Sequence, residues 1–140
     1  MTLPSDQRSP VFTWHHPFGE LLGIQIKEVR PGYSLVTMEV TPHVMNPFHS
    51  VHGGATYALA DTGMAMALYH QLDADQNCAT VSIHMDYFHQ IRKGIILAKS
   101  RVVHTSRRLA NLECLLEDTD GKLLAKATGT FAIIAYQPPD

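Results

Sequence analysis

The residues best suited to chemistry lie in one short stretch of the chain. His52 is followed by Gly53 and Gly54, and a long apolar segment begins directly after them. Glycines at the start of a helix leave backbone N–H groups free for a ligand, and the helix dipole adds positive potential there. Such amides can polarise a carbonyl group or hold an oxyanion. A structural alternative is that the two glycines only permit a sharp turn into the helix.

A single carboxylate interrupts the apolar segment. Asp61 is the only charged residue between Ala55 and Leu68. A carboxylate in such a helix is costly to bury unless it is paired, hydrogen-bonded or protonated. Burial would also favour the proton acceptance that a general base needs near neutral pH. The alternative is that Asp61 hydrogen-bonds a neighbouring element, but we expect a catalytic role.

The first half of the chain contains the elements that must position these residues. Apolar residues that end at a glycine predict a short helix over residues 14–23. A hairpin is predicted over residues 24–40, with its turn at Pro31-Gly32, and a loop over residues 41–51. Residues 52 to about 72 contain no proline and are apolar on nearly every face, which predicts a buried helix.

The second half of the chain has the pattern of β-strands. Four strands are predicted over residues 79–88, 95–104, 109–117 and 123–135. The connections are too short for helical crossovers, so we expect an antiparallel meander. Such a sheet could wrap the apolar helix, which predicts an α+β fold. We expect a loose N-terminal lead-in over residues 1–13 and a single domain over residues 14–140.

Composition excludes several classes of protein. Of the 140 residues, 45% are hydrophobic, which excludes a disordered chain, and no apolar run is long enough to cross a membrane. The formal net charge of −2 gives no basic field for a nucleic acid. Cys78 and Cys114 have no metal-ligand spacing, and no signal peptide precedes them, so we expect a cytoplasmic protein.

The element order and the central motif resemble those of the hotdog-fold acyl-CoA thioesterases, and within them the phenylacetate-degradation (PaaI-like) branch. The resemblance covers about residues 17–134 and rests mainly on Asn46…His52-Gly53-Gly54…Leu59-Ala60-Asp61. Shorter motifs that support it are Leu22-Gly23-Ile24, Glu28-Val29, Pro31-Gly32, Asp86-Tyr87-Phe88 and Asp120-Gly121-Lys122-Leu123.

The resemblance implies thioester hydrolysis without a cofactor. Asp61 corresponds to the carboxylate that activates water or attacks, and the N–H of Gly53 and the side chain of Asn46 would bind the thioester carbonyl. A hydroxyl early in the next strand would help to hold the water. Thr80 matches that position best, with Ser82 as a substitute. The chain departs from the family at His49, where relatives often have glycine.

Further residues are candidates for shaping the site or binding substrate. His52 is a tempting base, although its role in the family is closer to shaping the loop. His49 and His52 lack a third ligand of suitable spacing, so we expect no metal. Candidate walls of an acyl pocket are Phe48, Met64, Met66 and Tyr87. His49, Gly54 and Ser82 are further candidates for binding the substrate, and candidate partners for the phosphates of CoA are Arg92, Arg107 and Arg108.

Helix geometry predicts that each site is shared between two chains. Gly53 and Asp61 are eight residues apart, which is about 12 Å of helix rise, too far to meet at one carbon atom. We expect two helices packed through the stripe Ala60, Gly63 and Ala67, in a dimer or a dimer of dimers. Two other functions remain open, which are a hotdog hydratase or dehydratase on acyl carriers and a non-catalytic acyl-CoA-binding module.

Overall fold

The N-terminal part of the structure is a short helix followed by a hairpin. The computed structural model describes residues 16–137, so the predicted lead-in and the predicted start of the first helix lie outside the described residues. Helix α1 spans Pro17–Leu22 and ends at Gly23, whose φ of 77° is one that glycine adopts readily. Strands β1, Ile24–Arg30, and β2, Tyr33–Glu39, form the predicted antiparallel hairpin.

The remaining elements are one long helix and four strands. Helix α2 spans Gly53–Tyr69 and contacts every strand of the sheet. The four strands that follow are β3 (Gln76–Tyr87), β4 (Ile95–Thr105), β5 (Leu109–Glu117) and β6 (Leu123–Ala135). All strand pairs are antiparallel, so the predicted α+β fold with a sheet around one helix is confirmed.

The order of the strands differs from the expected meander. The sheet runs β1-β2-β4-β5-β6-β3, so only β4, β5 and β6 form a meander, and β3 lies at the far edge beside β6. Residues 88–94 carry the chain from β3 back to β4. Three strand spacings are about 14 Å, and seven extended residues reach about 23 Å, so this connection is long enough to cross the end of two strands.

The stripe of small residues on α2 faces the sheet of its own chain. Ala60 and Ala67 are fully buried, and a Cβ added at Gly63 would lie 2.7 Å from Ser100 Oγ. Ser34 Oγ also donates a hydrogen bond of 2.6 Å to the Gly63 carbonyl. The expectation that two helices pack through this stripe is therefore wrong, because the close approach of β2 and β4 already occupies it.

The loop before α2 is closed by a tight turn with a left-handed residue. After a 3-10 turn at Pro42–Val44, Met45 pairs with Val51. The N–H of Asn46 donates to the Ser50 carbonyl at 2.7 Å, and the N–H of His49 donates to the Asn46 carbonyl at 3.1 Å. His49 has a φ of 60°, at the position of such a turn where glycine is common. The glycine that relatives often have there thus corresponds to a backbone requirement.

Gly63→Ala tests the close contact between α2 and the sheet. We expect the free energy of unfolding to fall by about 1–3 kcal/mol, because the new methyl group would overlap Ser100 Oγ, although alanine is the better helix former. Ser100→Ala removes that atom, so Gly63→Ala should cost markedly less in the Ser100→Ala background. Chemical denaturation of the four proteins measures both costs, and equal costs in the two backgrounds would contradict the contact.

His49→Gly tests the left-handed residue in the loop. We expect the free energy of unfolding to rise by up to about 1 kcal/mol, because glycine relieves the backbone strain at the cost of some unfolded-state entropy. His89→Gly is the matched control, because His89 is exposed and its φ is not positive, so glycine should lower stability there. Urea denaturation compares the two variants, and a similar loss of stability in both would show that position 49 carries no strain.

Candidate active site

The start of α2 leaves one backbone amide open. His52 is the N-cap, and its Nδ1 accepts the N–H of Gly54 at 2.8 Å. The carbonyl of His52 accepts the N–H groups of Ala55, at 2.9 Å, and Thr56, at 3.4 Å. Within residues 16–137, the N–H of Gly53 has no acceptor. A ligand carbonyl can therefore bind at Gly53. The His52 ring caps the helix, because its Nδ1 accepts the Gly54 amide.

Asn46 is held in a fixed orientation beside this amide. Its Oδ1 accepts the N–H groups of Phe48, at 2.9 Å, and Ser50, at 3.2 Å. Its Nδ2 donates to Ser50 Oγ at 2.9 Å. Because an amide nitrogen carries two hydrogens, a second donor remains for a ligand. Asn46, Gly53, Gly54 and Ser50 line one cavity of about 520 Å³.

Asp61 lies on the same helix but outside this cavity. Thr80 Oγ1 donates to Asp61 Oδ1 at 2.7 Å, and Oδ2 has no hydrogen-bond partner among the described residues. The carboxylate is half-buried, because it lies where α2 meets β3 at the edge of the sheet. Thr80, predicted to help hold the attacking water, is thus hydrogen-bonded to Asp61 itself, whereas Gly53 lies about 12 Å away along the helix.

A bulge in β3 explains how one strand binds both the start and the middle of α2. Thr80 pairs with Phe131 and Ser82 with Thr130, so Val81 is an extra residue in the strand. Residues seven apart normally point to opposite faces of a sheet. The bulge shifts the alternation, so Thr80 reaches Asp61 while the Tyr87 hydroxyl donates to the Gly53 carbonyl at 2.7 Å.

Other candidates from the sequence lie in different places. Ser82 lines a cavity on the outer face of the sheet together with His84, so it is not an alternative partner for Asp61. Met64 is fully buried in the core, and we assign it to packing and no longer to the acyl pocket. Phe48 is 76% exposed at the tip of the loop. His49 lines a different cavity from Gly53, between Val40 and Asn46.

The candidate arginines are divided between two regions. The Arg92 guanidinium donates to the carbonyls of Phe48, at 3.2 Å, and His49, at 3.3 Å, so it stabilises the loop. Arg107 and Arg108 are exposed in the turn between β4 and β5, and the Arg108 carbonyl accepts the N–H of Ile133. Arg107 and Arg108 therefore lie towards the Thr80 end of β3, because Ile133 pairs with Cys78.

The remaining titratable and nucleophilic groups of the described residues form no second centre. Burial raises the pKa of the Cys114 thiol to about 12, against a smaller lowering by the Ser100 hydroxyl, so this cysteine is a neutral packing residue. In the described part of the chain, no group of three or more His, Cys, Asp or Glu side chains is arranged to hold a metal ion. No helix in residues 16–137 has the length and apolar character needed to span a membrane.

Sequence reasoning missed two groups. Ser50 was not a candidate, although it lies four residues after Asn46, a spacing that allows a closed loop. Tyr87 was predicted as a pocket wall, and its hydroxyl bond to Gly53 was not foreseen, because strand alternation places it opposite Thr80. No local signal in the sequence marks the bulge at Val81.

Comparison with known proteins identifies the family. The sequence model of the Thioesterase superfamily matches residues 48–125, more than half of the chain. A 1,4-dihydroxy-2-naphthoyl-CoA hydrolase from Listeria monocytogenes is 26% identical over 114 residues, which are 81% of this chain and 93% of that protein. The acyl-coenzyme A thioesterase PaaI of Escherichia coli is 46% identical over 46 residues, 33% of either chain.

Solved structures agree with this assignment. A mutant of the phenylacetic acid degradation protein PaaI from Thermus thermophilus has a TM-score of 0.77 and 32% identity, covering 84% of this chain and 98% of that one. A mutant thioesterase from Pseudomonas aeruginosa has a TM-score of 0.83 and 26% identity, covering 97% of each chain. The chain therefore belongs to the thioesterase superfamily, has the hotdog fold, and is a thioester hydrolase.

Proposed function

We propose that this chain is an acyl-CoA thioesterase that hydrolyses a CoA thioester to a carboxylic acid and free CoA. The observation that carries the proposal is the open Gly53 amide at the start of α2, beside the oriented side chain of Asn46. Two donors that converge on one cavity suit a carbonyl oxygen, which gains negative charge when a nucleophile attacks the carbonyl carbon.

The proposed reaction uses Asp61 for the attack. The thioester carbonyl oxygen accepts hydrogen bonds from the Gly53 N–H and from Asn46 Nδ2, which stabilise the tetrahedral intermediate. Asp61 either takes a proton from the attacking water or attacks the carbonyl carbon itself, and Thr80 holds its carboxylate in place. The carbon–sulfur bond then breaks, and the thiolate of CoA leaves and takes up a proton. Where water attacks, this is the proton that Asp61 accepted. Where Asp61 attacks, the acyl group is left on Asp61 as an anhydride, which water hydrolyses to release the acid and restore the carboxylate.

We further propose that two chains complete each site. Within one chain Asp61 is about 12 Å from Gly53, whereas the reacting groups must meet within a few Å of one carbon atom. Strand β3 is an edge strand whose residues near the bulge are exposed, Val81 to 59%. The face of α2 with Asp61 meets this edge strand through Thr80. A second copy placed along β3 would bring its Asp61 to the first copy's Gly53, with two equivalent sites around a two-fold axis.

The hydratase alternative is less compatible with the hydrogen bonds at the helix start. That chemistry needs a histidine and a carboxylate at adjacent carbons of the substrate, and the Nδ1 of His52 already accepts the Gly54 amide. Release of free thiol indicates hydrolysis, whereas a change in enoyl absorbance indicates a hydratase. Binding of acyl-CoA without either change indicates a binding module.

The acyl group that the enzyme prefers can be identified by assay. A panel of arylacetyl, benzoyl-like and medium-chain aliphatic CoA esters, followed by thiol release, would identify the preferred acyl group.

Because Arg92 already donates hydrogen bonds to the loop before α2, we propose Arg107 and Arg108 as the better candidates for the CoA phosphates. The buried thiol of Cys114 forms no disulfide, which supports our proposal of a reducing, cytoplasmic location.

Asp61→Asn tests the proposed catalytic carboxylate. We expect kcat to fall about 10²–10⁴-fold with little change in KM, because the amide keeps the size but cannot accept a proton. Asp120→Asn is the control, since Asp120 is exposed in the turn between β5 and β6, and it should leave kcat unchanged. Steady-state thiol release measures both variants. Near-normal turnover of the purified Asp61→Asn protein would exclude the proposed role.

Complementation tests the shared site. Asn46→Ala and Asp61→Asn proteins, unfolded together and refolded as an equal mixture, should form mixed dimers with one intact site each. With random pairing, roughly a quarter of all sites should recover activity. Distinct affinity tags verify the mixed dimers, and each variant refolded alone gives the background. Verified mixed dimers without activity above this background would mean that Asn46 and Asp61 act within one chain.

A further inference from the structure

The peptide group between Gly53 and Gly54 is held at both ends by side chains. Its N–H donates to His52 Nδ1 at 2.8 Å, and its carbonyl accepts the Tyr87 hydroxyl at 2.7 Å. The two side chains come from different elements, His52 from the helix cap and Tyr87 from the end of β3. This peptide group therefore cannot rotate without losing a hydrogen bond.

The two bonds leave one amide for a ligand and fix where it lies. Because Gly54 donates to His52, the Gly53 N–H is the donor that remains open among the described residues at the helix start. Gly53 has no side chain of its own to hold it, so its position depends on its two flanking peptide groups. The His52 carbonyl is fixed by the amides of the first turn, and Tyr87 fixes the Gly53 carbonyl.

The Tyr87 hydroxyl lies in close contact with Gly53. A Cβ built on Gly53 would lie 3.2 Å from the Tyr87 hydroxyl oxygen and 3.3 Å from the ring carbon that carries it. An alanine at position 53 would therefore require the tyrosine ring to shift by a few tenths of an ångström. Thr56 Oγ1 also donates to this carbonyl, at 3.0 Å, but Thr56 belongs to the same helix and cannot fix the helix start relative to the sheet.

We propose that Tyr87 is a positioning residue that acts through Gly53. Its hydroxyl anchors the Gly53 carbonyl to β3 and so holds the Gly53 N–H at the place where the thioester oxygen develops charge. The inference rests on the proposed thioesterase function and extends it. It assigns Tyr87 a role through its hydroxyl group, separate from any contact of its ring with the acyl group.

A spectroscopic measurement tests the bond without substrate. Gly53-Gly54 is the only Gly-Gly pair in the sequence, so protein labelled with ¹³C-carbonyl and ¹⁵N glycine gives a single HNCO signal. That signal joins the Gly53 carbonyl carbon to the Gly54 amide. Tyr87→Phe should shift it, because the carbonyl loses a hydrogen bond. Tyr57→Phe is the matched control, since its hydroxyl ties the same helix to the same strand through the Ile83 carbonyl at 3.4 Å.

A kinetic measurement tests the positioning role. Tyr87→Phe should lower kcat about 10-fold and leave KM within about twofold, because the misplaced amide weakens binding of the transition state more than binding of substrate. Tyr57→Phe should leave both constants unchanged. Tyr87 is 52% exposed, so its variants leave the core intact. Incorporation of p-aminophenylalanine at position 87 restores a donor at the same place and should recover most of kcat.

The possible results separate this proposal from the proposed function. An unshifted carbonyl signal in Tyr87→Phe, a shift with normal kcat, or a rise in KM at constant kcat would each overturn the positioning role. An equal loss in Tyr57→Phe would also overturn it, since any tie between helix and strand would then suffice. If the wild-type chain hydrolyses no CoA thioester, the proposed function fails, and the carbonyl signal alone then decides whether the anchor exists.

Discussion

The rest of the proposed site depends on one constraint, which is that the backbone N–H of Gly53 stays open for a ligand. A helix start offers several unpaired amides, and a ligand that can choose among them is not bound in one orientation. Here the His52 ring accepts the Gly54 amide and the His52 carbonyl accepts the next two, so that the Gly53 N–H is left without an acceptor among residues 16–137. Its partner donor, Asn46, is fixed by bonds within its own loop.

The bulge at Val81 gives the edge strand two functions that a regular strand could not combine. On one side of the bulge Thr80 holds the carboxylate of Asp61, and on the other side Tyr87 holds the carbonyl of Gly53. Gly53 at the start of α2 and Asp61 at its middle are therefore both hydrogen-bonded to β3. The same strand is one of the two edge strands of the sheet, so the strand that orders both halves of the proposed site also borders the surface proposed for the second chain.

Local patterns in the sequence were sufficient for the elements but not for their arrangement. The bounds of β5 and β6 agree with the prediction because turn residues mark both ends of each strand. The position of β3 could not be predicted, since a strand pattern does not reveal which edge of a sheet the strand joins. The small-residue stripe indicated a close backbone approach correctly, but it could not show that the approaching backbone is the chain's own sheet.

Candidate residues could be named from the sequence where residue type alone suggests the chemistry. Asp61, Thr80 and the amide of Gly53 became candidates as a carboxylate, a hydroxyl and a glycine at suitable positions, with the resemblance to the thioesterases, but the hydrogen bond between Asp61 and Thr80 was not predicted. The contribution of Ser50 and the hydroxyl bond of Tyr87 depend on a closed loop and a shifted strand. Such features arise from tertiary contacts, which leave no periodic signal in the sequence.

The most direct test of the central claim is a crystal structure with a non-hydrolysable acyl-CoA analogue in which a methylene group replaces the thioester sulfur. The predicted result is a ligand carbonyl oxygen within hydrogen-bond distance of the Gly53 N–H and Asn46 Nδ2 of one chain. In the same site, Asp61 of a second chain should face the carbonyl carbon. A carbonyl bound away from Gly53, or approached by Gly53 and Asp61 of the same chain, would contradict the claim.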